Sequence, residues 1–267
     1  MIKDITIGQY IVGDSFIHKL DPRTKILISL LFIITLFLVK NVTGYVVVFI
    51  FLMSCIYISK VPFRYIYKGL KPIFILMLIT AVFNIFFTKG DVLLYQIGFL
   101  KIYKEGLVLA AFMVVRLTFL IAGTSLLTLT TSPIELTDGI EKLLNPFKKI
   151  GVPAHELAMM MTIALRFIPT LMDETDKIMK AQMARGADFE SGNLISRAKN
   201  LIPLLVPLFI SSFRRAEELA MAMEARGYRG GEGRTRMKVL QMTNKDTIAF
   251  ISFVVFVILI FITRIYF

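Results

Sequence analysis

Two arginines, Arg185 and Arg226, have the type and setting to act on another molecule. Each belongs to the same short pattern, Ala181-Gln-Met-Ala184-Arg185-Gly186 and Ala222-Met-Glu-Ala225-Arg226-Gly227, and they lie 41 positions apart. The pattern reads as a helix C-terminus: glycine takes the left-handed cap, alanine lets another backbone approach, and arginine projects from the last turn. For one copy, attraction between arginine and the negative end of the helix dipole is explanation enough. Two copies closing two amphipathic helices point instead to paired docking tips, made of Ala184, Arg185, Gly186, Ala225, Arg226 and Gly227. A guanidinium suits a desolvated groove lined by carboxylates or carbonyls, because its fork is planar and always charged. Truncating one partner of such a buried contact costs roughly 2 to 5 kcal/mol.

Other chemistry finds little support. His155-Glu156 resembles the start of a zinc-protease helix, but position 159 is Met where a second ligand is needed, and His18 is the only other histidine. The glycine-rich run from Gly227 to Gly233 lacks the Lys-Ser or Lys-Thr of a phosphate loop, so ATP hydrolysis by this chain is not expected. Cys55 is the single cysteine and lies in an apolar run, which excludes a disulfide framework and a thiolate cluster. No catalytic residue, metal site or cofactor is therefore expected. Arg116 is the one charge deep in a span. Its expected role is structural, facing the bundle and binding a carbonyl or Asn84.

The elements that carry these residues are set by composition. Hydrophobic residues make up 56% of the chain, the mean hydropathy is +0.72, and five apolar runs approach the length of a bilayer crossing. The expected spans are about Pro22 to Val39, Val42 to Ser59, Pro72 to Thr88, Gly106 to Thr130 and Thr247 to Thr263. Each should be helical, since backbone groups in lipid must be satisfied within the segment. The start of the chain, with Asp4, Asp14 and Asp21, is unlike a cleavable signal peptide, so the N-terminus is expected to stay on. Of 31 Lys and Arg residues, 25 fall on one side of these spans and five on the other, with Arg116 between. The positive-inside rule then makes the N-terminus and the polar middle of the chain cytoplasmic and turns the C-terminus outward. The net charge of +12 reports topology, and nucleic acid is not an expected partner.

From Ser132 the solid apolar runs give way to amphipathic helices. Ser132, Pro133 and Glu135 form a capping-box start for a short helix ending near Asn145 and Pro146. A long helix from about Pro153 carries Arg166, Thr170, Asp173, Lys177 and Lys180 as a polar stripe, opposite Phe167, Ile168, Leu171, Ile178 and Met179. A third, after Gly192, contains the apolar stretch Leu201 to Ile210 with Pro203 and Pro207. It reads as a kinked interfacial helix, with a re-entrant segment as the alternative. Ten of the fourteen methionines fall between Met159 and Met242, which suits either gap-filling between helices or an adaptable surface for several partners.

Taken together, the two A-R-G tips, Ala164-Leu-Arg166-Phe-Ile-Pro169-Thr-Leu, Arg214-Arg215-Ala216 and His18-Lys-Leu-Asp21-Pro22-Arg23-Thr-Lys25 resemble the transmembrane (T) component of energy-coupling factor importers along essentially the whole chain. The resemblance implies an all-α polytopic membrane protein in a bacterial cell membrane. It would have about five transmembrane helices and a cytoplasmic coupling region with two long crossing helices. Residues 1–130 would form an N-terminal membrane region, 131–245 the coupling helices and 246–267 a last span. The implied partners are two cytoplasmic ABC ATPases, one docked on each tip, and a small membrane substrate-binding (S) subunit for a vitamin or transition-metal ion. In this reading the chain is not an enzyme. The competing reading, a self-contained secondary transporter or channel, expects polar groups at mid-membrane, and apart from Arg116 the spans offer few.

Overall fold

The computed structural model describes residues 10–97, 100–189, 193–231 and 239–266, so Asp4, Gly192 and Gly233 of the sequence reading lie outside the described residues. The helices are α1 (Pro22–Leu38), α2 (Val42–Ser59), α3 (Phe63–Leu70), α4 (Phe74–Phe87), α5 (Lys104–Thr130), α6 (Pro133–Leu144), α7 (Ala154–Ala184), α8 (Leu194–Asn200), α9 (Ile202–Ala225) and α10 (Asn244–Tyr266). Short 3-10 turns, Lys71–Ile73 and Asn145–Ile150, follow α3 and α6. Among the described residues the protein is all-α apart from one hairpin, β1 (Leu93–Ile97) and β2 (Leu100–Tyr103), antiparallel with Gln96 opposite Lys101 and a register shift between Leu93 and Tyr95.

The described residues divide inside α6 into two compact units, one within residues 10–139 and 240–266, the other within residues 140–239. The first unit is a polytopic membrane bundle. Its core joins Phe32 and Leu36 of α1, Val48 and Leu52 of α2, Leu126 and Leu129 of α5, and Phe253 and Phe256 of α10. Phe51 stacks on Phe256 with ring centroids 4.2 Å apart. α3 and α4 pack along α5, while Phe74, Ile75, Leu78, Phe83 and Phe87 face outward. That outward apolar face is what a chain dissolved in hydrocarbon presents to lipid.

Four stretches among the described residues are long and apolar enough to cross a membrane: Val42–Ser59, Phe63–Phe87, Lys104–Thr130 and Asn244–Tyr266. The first expected span, Pro22 to Val39, is α1, which with 17 residues rises about 25 Å against a hydrocarbon core of roughly 30 Å and so falls just short of these four. The third span also begins earlier than Pro72. Pro72 sits in the first turn of the Lys71–Ile73 segment, where a missing N–H costs nothing, so helical structure runs on from Phe63.

In the second unit α7 and α9 run antiparallel, for Gln182 near the end of α7 meets Pro203 at the start of α9, and Glu174 meets Ser211 and Arg215 midway. The polar stripe from Arg166 to Lys180 is exposed and the Phe167-to-Met179 face is half-buried, as the spacing predicts. α9 is a single helix through Pro207. Proline there removes the donor that would pair with the carbonyl of Pro203, and Gln182 Nε2 takes that carbonyl instead, at 3.4 Å.

Candidate functional site

The tips are two copies of one cap. At the end of α7 the Gly186 N–H donates to the Met183 carbonyl and the Ala187 N–H to that of Gln182, both at 3.0 Å. At the end of α9 the Gly227 N–H donates to Glu224 at 2.8 Å and the Tyr228 N–H to Met223 at 3.0 Å. This pairing is the Schellman motif, and it requires the left-handed residue that glycine supplies: φ is +89° at Gly186 and +72° at Gly227. Arg185 (φ −89°, ψ 6°) and Arg226 (φ −88°, ψ 8°) match within two degrees. A Cβ built on either glycine would meet nothing within 4 Å.

Ala184, Arg185, Gly186, Ala225, Arg226 and Gly227 are all exposed, and among the described residues neither tip arginine's side chain has a hydrogen-bond or ion-pair partner. Because the helices are antiparallel, the tips lie at opposite ends of the pair. Separated by the 24 residues of α9, they stand about 35 Å apart.

Side chains on both helices hold this spacing. Glu174 accepts a short hydrogen bond from Ser211 Oγ and a second, at 3.0 Å, from Arg215 Nη2. Beyond the second tip, the Tyr228 hydroxyl donates to Met159 Sδ at 3.0 Å. The segment then passes His155, whose ring packs against Gly231 and whose Nδ1 lies 3.1 Å from Glu141 Oε1. Arg215 thus ties the two helices together, while Arg214 stays exposed.

The run from His18 to Lys25 builds a polar clasp in the membrane unit, at the end of the bundle where α1 and α10 start and α5 stops. Asp21 caps α1, accepting from the Arg23 N–H at 2.9 Å, and its carboxylate takes Arg23 Nε at 3.0 Å and Nη2 at 2.8 Å. Asp246 accepts from the Asp21 N–H at 2.7 Å and from both the N–H and hydroxyl of Thr243 at 2.8 Å. Lys25 Nζ donates to the carbonyls of Thr130 at 2.9 Å and His18 at 3.1 Å. His18 Nδ1 lies 2.6 Å from Ser15 Oγ and its Nε2 3.0 Å from the Ile11 carbonyl. Burial opposes the charge on Asp21, but the Arg23 guanidinium and N–H outweigh it and hold the carboxyl below the usual carboxylate range. Burial lowers His18, with Lys25 adding to it against the opposing pull of the Ile11 carbonyl and Asp14.

Asp246 escaped the sequence reading. Thr243-x-x-Asp246 is a capping-box spacing that would have marked the start of α10; nothing local indicates its bond to Asp21. Arg116 binds a carbonyl, as expected, though not Asn84. It donates to Val39 O at 3.1 Å and Tyr45 Oη at 3.0 Å, while Asn84 Nδ2 turns to Thr80 O. The first of those bonds takes the carbonyl of Val39, the C-cap of α1, and the second reaches α2, so Arg116 links three helices of the bundle. Among the described residues no group of three His, Cys, Asp or Glu side chains is placed to hold a metal ion.

Residues 13–237 match the model of the cobalt transport protein family, CbiQ. Proteins named energy-coupling factor transporter transmembrane protein EcfT align with nearly the whole chain. The one from Clostridium kluyveri is 71% identical over 267 residues, 100% of this chain and 99% of its own length. That from Thermosediminibacter oceani is 62% identical over 251 residues, 94% of each chain. The Bacillus subtilis protein is 53% identical over 264 residues, 99% of this chain and 100% of its own. With the apolar spans and paired tips already in place, these matches establish that the chain belongs to the CbiQ family, as a transmembrane (T) component of the energy-coupling factor type.

Proposed function

We propose that the chain is the non-catalytic coupling subunit of an ATP-driven importer, carrying the motion of two cytoplasmic ABC ATPases to a separate membrane S subunit that binds a vitamin or metal ion. One observation carries this reading: two identically capped, exposed arginines, whose side chains have no partner among the described residues, stand at opposite ends of one antiparallel helix pair. A separation of about 35 Å suits two protein partners better than one small ligand. Each guanidinium would enter a groove of one ATPase, with Ala184 and Ala225 letting the backbones close up. ATPase closure would then draw on both ends of the pair together.

The S subunit has a surface to meet. Leu205, Phe209 and Phe213 on α9 are exposed at 53%, 67% and 64%, and Met160, Met161 and Met221 add adaptable apolar area. In the proposed topology α1 is a fifth, short crossing. Residues 1–130 and 246–267 lie in the bacterial cell membrane, and residues 131–245 and the N-terminus face the cytoplasm. The C-terminus faces outward, following the Lys and Arg distribution.

The test is the double variant Arg185→Ala/Arg226→Ala in the full complex. The expected result is loss of ATPase copurification, or ATP hydrolysis uncoupled from uptake, with the membrane bundle still folded. A double variant that retains both ATPases and transports normally overturns the reading.

A further inference from the structure

The chain that leaves the second tip turns straight back onto α7. Tyr228 follows Gly227 directly and is held at both ends. Its N–H closes the cap on the Met223 carbonyl at 3.0 Å, and its hydroxyl donates to Met159 Sδ at 3.0 Å. Four residues before Met159, on the same face of α7, the His155 ring lies against Gly231. A Cβ built on Gly231 would stand 2.4 Å from His155 Cδ2 and 2.8 Å from Cγ. Gly231 is not among the glycines with a left-handed φ, so its backbone does not call for glycine; the ring against it does.

The ring is itself fixed. A carboxylate only accepts, so His155 Nδ1, 3.1 Å from Glu141 Oε1, carries the proton and donates to a side chain of α6. Met159 and His155 thus make a two-point seat for residues 228–231, and Gly230, at φ +88°, bends the chain between the two contacts. The first tip has a different brace. There Asn200 Nδ2 donates to the Asp188 carbonyl at 2.6 Å, an exposed bond that joins the tip to α8, the short helix after it. The second tip is joined to the start of an earlier helix, across 69 positions. Tyr228 is two residues from Arg226, and two residues span at most about 7 Å. Anchoring Tyr228 therefore limits how far the tip can swing.

We propose that Tyr228 and Gly231 are positioning residues for the second tip: seated on Met159 and His155, they hold Arg226 where the second ATPase receives it. The assignment rests on the docking role proposed above. It makes the two tips unequal, for loosening this seat disturbs one docking contact and spares the other.

In the assembled complex, with Cys55 replaced by serine, Ala184→Cys and Ala225→Cys report cross-linking to an ATPase at the first and the second tip. Gly231→Val, which forces the segment off the ring, should lower the Ala225→Cys yield at least about five-fold and leave the Ala184→Cys yield within about two-fold. Adding His155→Ala vacates the space the new side chain needs and should restore at least about half of the lost yield. Tyr228→Phe removes only the hydroxyl; it should lower the second-tip yield about two- to five-fold, and it decides if Gly231→Val fails to assemble. Nitroxide labels at Glu156→Cys and Arg229→Cys, both exposed positions, should give one narrow distance distribution in the parent chain and a broad one in Gly231→Val. An unchanged second-tip yield, equal loss at both tips, no recovery with His155→Ala, or an unchanged distance distribution would each overturn the assignment. A parent complex that cross-links at neither cysteine would overturn the docking role itself, and the label pair separates that failure from a failure of the seat.

Discussion

Replacing Gly186 and Gly227 by alanine isolates the shape of the tips from their charge. Both glycines hold φ values, +89° and +72°, at which a Cβ crowds its own backbone. A built Cβ meets nothing else within 4 Å, so the backbone term is the whole cost within this chain. That term is roughly 1 to 2 kcal/mol per site. It falls on a terminal turn, which opens locally without unfolding the helix. Thermal unfolding should therefore barely move, and circular dichroism is the suitable readout in a chain with no tryptophan. If binding needs the Schellman turn already formed, that energy is charged to docking, and ATPase affinity should fall about 5- to 30-fold for each tip. Biolayer interferometry of the purified ATPases on chain-loaded nanodiscs would measure it. Asparagine tolerates the left-handed region, so Gly186→Asn and Gly227→Asn should recover most of the loss. Alanine variants that bind within about two-fold of the parent protein would refute the claim that preformed caps present the arginines.

Two further predictions concern the clasp. Asp246→Ala strands the buried N–H of Asp21 and two donors of Thr243, and should destabilise the membrane unit by about 3 kcal/mol, seen as a lower melting temperature. Folded Asp21 and His18 both titrate below their ordinary values, so the unfolded chain takes up protons first and stability is lost as pH falls. The His18 part should go as pH drops below about 6.5 and the Asp21 part only in the carboxylate range below about 4. Melting curves for the parent and His18→Asn should converge at acid pH, and equal pH dependence in the two would contradict the assignment to His18.

What could be read from the sequence was what repeats locally. α2 runs from Val42 to Ser59, as the apolar run indicates, and both tips end where A-x-x-A-R-G places them. Ser132 caps α6 through the Glu135 N–H at 3.3 Å, the bond a capping box expects. The proline signal misled at Pro72, which looked like a boundary yet falls where no donor is needed; Pro207 lies inside one helix, and the carbonyl it orphans is taken by a side chain from another helix. The hairpin at Leu93–Tyr103 went unread because its strands are short and no Asn-Gly or Asp-Gly turn joins them. The pairing of Asp21 with Asp246 spans 225 positions, and nothing in a local pattern encodes a bond of that range. The antiparallel course of α7 and α9, which separates the tips, was likewise a matter of tertiary packing.

Cysteine cross-linking in the assembled complex addresses the tips most directly, since Cys55 is the single native cysteine and is readily replaced by serine. In that background Ala184→Cys and Ala225→Cys leave both arginines in place. Each should cross-link to an ATPase, and the double variant should yield one chain joined to two ATPase copies. If both cysteines instead react with a bulky water-soluble maleimide at the rate of a free thiol while the ATPases remain bound, the tips are not the docking elements and the coupling account fails.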